Sequence, residues 1–172
     1  SRENYGVFSF NLNALFNPSS KGGYTWSRIL PARPQLYGQY DGFNYLGFGM
    51  LALLGVLCAA AVVLAVRSKA GRAALAGLLR RNLVLILGMA FMTLFAITNV
   101  VCFDDVELLN IPLPEGLVKL CGIFRASGRM FCPVYYVLMT ACIVGLARLL
   151  RCVGKAALYP AVLVLVAAVQ LF

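Results

Sequence analysis

Histidine is absent from these 172 residues, and Asp and Glu together number only 6. Without an imidazole the chain holds no histidine-based nucleophilic triad and no histidine metal ligand. Charge of either sign is scarce, at 12% of residues, against about 25% in a soluble domain. So few charges cannot build a water-facing shell, which excludes a soluble globular enzyme, a disordered tail or a coiled coil. None of the 6 cysteines is spaced as a CxxC redox or metal motif. What the chain has instead is apolar bulk, 62% of its residues.

The few charges divide that bulk. Residues 42–66, 82–103, 130–147 and 156–172 contain no Asp, Glu, Lys or Arg. A helix rises about 1.5 Å per residue, so roughly 20 apolar residues cross a hydrocarbon core about 30 Å thick. The sequence therefore predicts an all-α integral membrane fold with four transmembrane helices over these ranges, the last one truncated. These Leu-, Ala- and Val-rich runs lack the alternation of a barrel strand. Tyr40, Phe43, Tyr45 and Phe48 cluster where the first span begins, the place of an interfacial aromatic belt.

The linkers orient the spans. Residues 67–81 carry Arg67, Lys69, Arg72, Arg80 and Arg81, and residues 148–155 carry Arg148, Arg151 and Lys155, with no acid in either. All acidic residues lie elsewhere: Glu3 and Asp41 before the first span, and Asp104, Asp105, Glu107 and Glu115 between the second and third. Short basic linkers stay on the cytoplasmic side. Residues 1–41 and 104–129 are thus expected to be extracytoplasmic. The net charge of +9 becomes a topology signal, reinforced by anionic lipid at the inner leaflet, and no nucleic-acid partner is expected. The start at Ser1, without Met, and the stop inside an apolar run suggest a piece of a larger polytopic protein.

The first outer segment, 1–41, is rich in Asn, Gly, Pro, Ser and aromatics, a composition of ordered turns and short extended or helical pieces. It reads either as a connector with aromatic anchors or as a substrate-facing loop. In the second reading Asn17, Trp26 and Arg28 form the outer surface, since aromatic faces, amides and a guanidinium suit a sugar or a phosphate. The second segment, 104–129, is broken by Pro112 and Pro114. From Glu115, Leu117, Leu120, Cys121 and Phe124 follow helical spacing, predicting a short interfacial helix. If that helix continues, Arg125 and Arg129 share a face. With Ser127 they offer two guanidiniums and a hydroxyl at the hydrocarbon boundary, a chemistry that grips a phosphate; plain snorkelling is the alternative.

No metal is assignable: Asp104, Asp105 and Glu107 could hold a divalent cation or form a solvated loop. Cys102, Cys121 and Cys132 lie near the outer face, where oxidation is possible; the default for every cysteine is a small buried hydrophobe. The spans contain no ionisable carboxylate, amine or guanidinium. Thr93, Thr98, Asn99 and Thr140 are their main polar side chains, explained by interhelical hydrogen bonds.

Three stretches carry a resemblance. The first holds Asn11, Asn13-Ala14-Leu15-Phe16-Asn17-Pro18 and Trp26-Ser27-Arg28, and the second is Gln39-Tyr40-Asp41-Gly42-Phe43-Asn44-Tyr45-Leu46-Gly47. The third is Gly122-Ile123-Phe124-Arg125-Ala126-Ser127-Gly128-Arg129-Met130-Phe131 with Pro133-Val134-Tyr135-Tyr136. Together they resemble an uncharacterised bacterial family of large polytopic membrane proteins, which in turn look like the GT-C superfamily of membrane glycosyltransferases. The resemblance implies a bacterial inner-membrane protein that moves a sugar from a polyprenyl-phosphate donor to a glycan or lipid acceptor on the outer face. It implies a catalytic acidic residue in an earlier outer loop, upstream of this chain. Arg125 and Arg129 would then contact the donor phosphate. A transporter or flippase for lipid-linked glycans, or a non-catalytic membrane scaffold, are the alternatives. The former needs polar groups lining a path that these spans scarcely offer.

Overall fold

Gly47 opens the first membrane-length helix. It holds φ 81°, ψ 152°, a conformation essentially confined to glycine, and turns the chain into α1, Phe48–Arg67. The computed structural model describes residues 5–20, 23–124 and 126–170. Ser68 is extended and breaks the helix, then caps α2, Lys69–Arg81, by accepting from Gly71 N at 3.1 Å. Helix α3, Leu83–Ile97, leaves α2 at 68°. Thr98, at φ 67°, ends it.

A hairpin follows. Strand β1, Val100–Phe103, pairs antiparallel with β2, Val106–Asn110, with a register shift between Val101 and Cys102. Asp104 takes a left-handed φ of 56° in the turn. A short helix α4, Glu115–Cys121, and a 3₁₀ turn, Ser127–Phe131, lead into α5, Cys132–Cys152. Proline stands in the first turn of α5, where its missing N–H costs no bond. A second 3₁₀ turn, Ala156–Leu158, precedes α6, Tyr159–Gln170.

The protein is therefore mostly helical with one small sheet. Phe48–Arg67 and the stretch Ser127–Cys152 are long and apolar enough to cross a membrane, and the bent α2–α3 pair makes a third if it acts as one span. Leu46, Met50 and Leu53 pack with Cys142 and Leu146 of α5 and with Tyr159, Val162 and Val166 of α6. Gly145 permits this approach, since a Cβ there would lie 3.0 Å from Leu57. Outward, Val56, Val62, Val84, Phe91, Leu94 and Val164 are exposed, an apolar girdle suited to lipid rather than water.

Residues 5–20 and 23–47 form a cap over one end of the helices. Phe10 N donates to Ala96 O at 2.8 Å, Leu12 N to Cys102 O at 3.0 Å and Gly128 N to Phe8 O at 2.8 Å. Phe10 stacks on Phe131 with ring centroids 4.1 Å apart, beside Ala14, Ala96 and Val134. Burying such a ring contributes on the order of 2–3 kcal/mol relative to water. At the other end lie α2 and the C-terminal turn of α5, with the basic residues.

Several expectations are corrected. The fold is not all-α: the charge-free run 82–103 is helical only to Ile97, because Val100–Phe103 at its end, led by β-branched Val100 and Val101, find a partner strand in β2. Residues 67–81 are not a plain linker but α2, built from Ala, Leu and Arg, good helix formers behind a serine cap. Helix α5 continues through Arg148 and Arg151 to Cys152, since arginine sustains a helix and its stem can lie along it. Helix α4 stops at Cys121, and Phe124 lies beyond it. Cys58 and Cys152 are exposed rather than buried, and all six cysteines are unpaired.

Candidate functional site

The cap is organised by amides. Asn17 Oδ1 accepts from Ser19 N and Arg33 N at 3.0 and 3.1 Å, and its Nδ2 donates to Arg33 O. Asn11 donates to Gln39 Oε1 and to Asp104 O, each at 2.7 Å, and accepts from Asp104 N at 3.2 Å. Asn13 donates to Asp104 Oδ1 at 2.7 Å. These asparagines are buried, so their bonds are made in a medium that strengthens them and penalises any that is missing.

Arg33 completes the lock. Its Nε donates to Asp104 Oδ1 at 2.8 Å, and its Nη2 pairs with Oδ2. The guanidinium also lies 5.5 Å from the Phe103 ring centroid, within cation–π range. The hydrogen bonds from Arg33 and Asn13, opposed only by partial desolvation, hold the Asp104 carboxyl below its usual range, and Asp104 in turn raises Arg33. Asp104 is thus neither a solvated loop acid nor part of an acidic trio. Among the described residues no group of three His, Cys, Asp or Glu side chains is placed to hold a metal ion.

The cap also holds a cleft of about 400 Å³ lined by Phe8, Tyr40, Asp41, Ala126 and Arg129. It sits where the 3₁₀ turn Gln39–Gly42 meets the turn Ser127–Phe131. Gly42 and Gly128 let them touch: a Cβ on Gly128 would lie 2.9 Å from Gly42 Cα. Arg129 Nη2 donates to Asp41 Oδ1 at 3.0 Å. The Arg129 side chain is 67% exposed and Asp41's 22%, so the pair is held from the acid side while guanidinium N–H groups remain open. Phe8 and Tyr40 stand edge to face, 6.3 Å apart, as an apolar wall.

The sequence-derived candidates separate here. Arg129 is in the cleft. Ser127 does not line it: the residue is 1% exposed, and its hydroxyl donates to Phe8 O at 3.2 Å. It positions the turn rather than meeting a ligand. Arg125 lies outside the described residues. Asn17, expected on an outer surface, is 2% exposed and organises the loop instead, a correction that follows from its three backbone partners. Trp26 is 66% exposed; it donates to Ser20 Oγ at 3.1 Å and leans on Phe43, centroids 6.4 Å apart. Arg28 is exposed, as are Tyr24 and Tyr37. Sequence reading missed Asp41, Phe8, Tyr40 and the Arg33–Asp104 pair. The one available signal was that Asp41 and Arg129 are the charges bordering the first and third apolar runs.

The family described as Domain of unknown function (DUF6311) matches residues 1–172. The chain belongs to DUF6311. No curated protein and no solved structure matches it. For this DUF6311 chain, functional reading therefore rests on the cap itself.

Proposed function

We propose that this chain is part of a bacterial inner-membrane transferase that moves a sugar from a polyprenyl-phosphate donor to a glycan or lipid acceptor at the outer face. The observation that carries the reading is Arg129. It stands in a cleft at the head of an apolar helix of membrane-crossing length, steadied by Asp41 and walled by two aromatic rings. A donor of this class places its phosphate at the headgroup level, its chain in lipid and its sugar in water. When the anomeric carbon–oxygen bond breaks and the acceptor oxygen takes its place, negative charge gathers on the departing polyprenyl phosphate. A fixed guanidinium stabilises that charge more than it stabilises the ground state. Arg125 is the second candidate contact, and the exposed Trp26 and Arg28 offer a surface for the acceptor. The acidic group that removes the acceptor proton is assigned to no residue of this chain.

The reading includes four crossings, α1, α3, α5 and α6, with the cap outside. Its support is twofold. The basic residues of α2 and of 148–155 lie at the end away from the cap, the cytoplasmic pattern. Helix α6 also runs back to the cap end of α1, where Gln170 Nε2 donates to Leu46 O at 2.6 Å. Helix α3 rises only about 22 Å, and the apolar strand β1 lengthens its path at the cap.

The test is transfer by the full-length protein from polyprenyl-phosphate sugars in proteoliposomes. Arg129→Ala is expected to lower turnover by about a hundredfold or more, with Arg129→Lys in between. Unchanged transfer in Arg129→Ala defeats the phosphate role. Lipid translocation without transfer would favour a flippase.

A further inference from the structure

Helix α2 takes no part in the cap. It carries Lys69, Arg72, Arg80 and Arg81, all exposed, and no acidic residue. At 100° per residue, Lys69, Arg72, Arg80 and Arg81 fall within one half of the circumference, an arc of about 180°, and Gly71, Leu75, Leu78 and Leu79 lie in the other half. The helix is basic on one side and apolar on the other.

Its direction is set by a tight elbow. Gly71 is buried against the end of α1, where a Cβ would lie 2.5 Å from Leu64 O. Arg72 Nη1 donates to Ala65 O at 3.0 Å, satisfying a carbonyl that the helix end leaves free. With Ser68 extended and α3 departing at 68°, α2 continues neither neighbour. Insertion as half of a span would carry four cations into hydrocarbon, which the bilayer opposes strongly. Between two apolar helices, the remaining place is the membrane surface. There Leu78 and Leu79, both exposed, can enter the acyl boundary while the cations meet headgroups.

We propose that α2 is an in-plane helix that binds the phosphate headgroups of anionic phospholipid through Lys69, Arg80 and Arg81. Arg72 is already engaged with α1 and acts as the anchor. The inference is independent of any sugar chemistry at the cap.

The experiment uses the full-length protein in nanodiscs, with spin-labelled phosphatidylglycerol and phosphatidylcholine reporting lipid held at the protein. Wild type is expected to prefer phosphatidylglycerol, less so at high salt. Lys69→Gln with Arg80→Gln and Arg81→Gln keeps helix propensity and removes three surface cations. It is expected to lower phosphatidylglycerol affinity by about a hundredfold at low ionic strength. Arg80→Lys with Arg81→Lys keeps the charge and the preference, which separates lost lipid binding from lost folding. Arg148→Gln with Arg151→Gln and Lys155→Gln removes equal charge elsewhere at the same end and is expected to leave most of the preference. The proposal is overturned if wild type holds both lipids alike, if the α2 triple variant keeps its preference, or if the two triple variants lose it equally.

Discussion

Asp104, at the tip of the hairpin, is held by Arg33 through both carboxylate oxygens. The pair joins the cap to the loop that follows α3, across a sequence separation of 71 residues. It adds to the backbone bonds from Phe10, Leu12 and Gly128 that also hold the cap.

Its pH dependence has a definite sign. Asp104 is held below its ordinary carboxylate range, first by the Arg33 hydrogen bond. The unfolded chain therefore binds this proton more readily than the folded one, and stability from the group rises with pH. The contribution is complete above the unfolded carboxylate range, roughly pH 4–5, and is lost as pH falls through the depressed folded value. Arg33 stays protonated throughout. Thermal unfolding in detergent from pH 3 to 7 is expected to show an acid limb for wild type and a flatter one for Asp104→Asn, which is less stable at neutral pH. Parallel curves for the two would remove Asp104 from the account.

Asn17 and its exposed neighbours are expected to behave oppositely. Asn17→Ala deletes three bonds to backbone groups of the loop and leaves half-buried partners unmet, a cost of about 1–2 kcal/mol. Trp26→Ala and Arg28→Ala touch exposed side chains and are expected to change stability by about 0.5 kcal/mol or less. If either acts in binding, its effect appears in acceptor KM instead. Melting temperatures of the three variants decide this; a Trp26→Ala loss equal to that of Asn17→Ala contradicts the assignment.

These cases also show what was legible in the chain. Helices α1 and α5 announce themselves because charges bracket apolar runs of bilayer length, and lipid is the solvent those runs select. The end of α3 is hidden because absence of charge describes β1 as well as it describes a helix. Only the partner strand decides between them. Arg33, Asp41 and the buried asparagines were illegible for another reason. Their roles depend on residues brought near by tertiary folding, and an amide in a Pro- and Gly-rich loop looks the same whether it faces water or holds the loop together. Arg129 was readable from its place at a span boundary, but its carboxylate partner was not.

Gly47 and Gln170 form a clamp that can be tested as a cycle. Gln170 donates to Leu46 O at 2.6 Å and accepts from Met50 N at 3.3 Å, meeting groups that the bend at Gly47 leaves free. A Cβ on Gly47 would lie 1.6 Å from Gln170 Nε2. Gly47→Ala therefore displaces the amide and adds backbone strain of about 1–3 kcal/mol. Gln170→Ala alone is expected to cost about 1–3 kcal/mol by orphaning the Leu46 carbonyl. The double variant is expected to be less destabilised than the sum, because the steric and bonding losses are shared. Strict additivity would show that the two residues do not meet.

Cys152 offers a direct check of orientation. It is exposed at the end of α5, among the basic residues proposed to face the cytoplasm, whereas Cys121 lies on the cap side. In a variant with Cys121→Ser and Cys132→Ala, a membrane-impermeant maleimide is expected to leave intact cells unlabelled. It is expected to modify Cys152 once the membrane is opened. Cys102 and Cys142 are buried, and Cys58 lies within α1 facing the apolar girdle, so neither group should give signal from water. The wild-type Cys121 thiol, half-buried at the end of α4, is expected to label slowly from outside. Rapid labelling of Cys152 in unbroken cells would put α2 and the basic turn on the outer side. The cap would then face the cytoplasm, and both its proposed donor and the lipid contact of α2 would exchange leaflets.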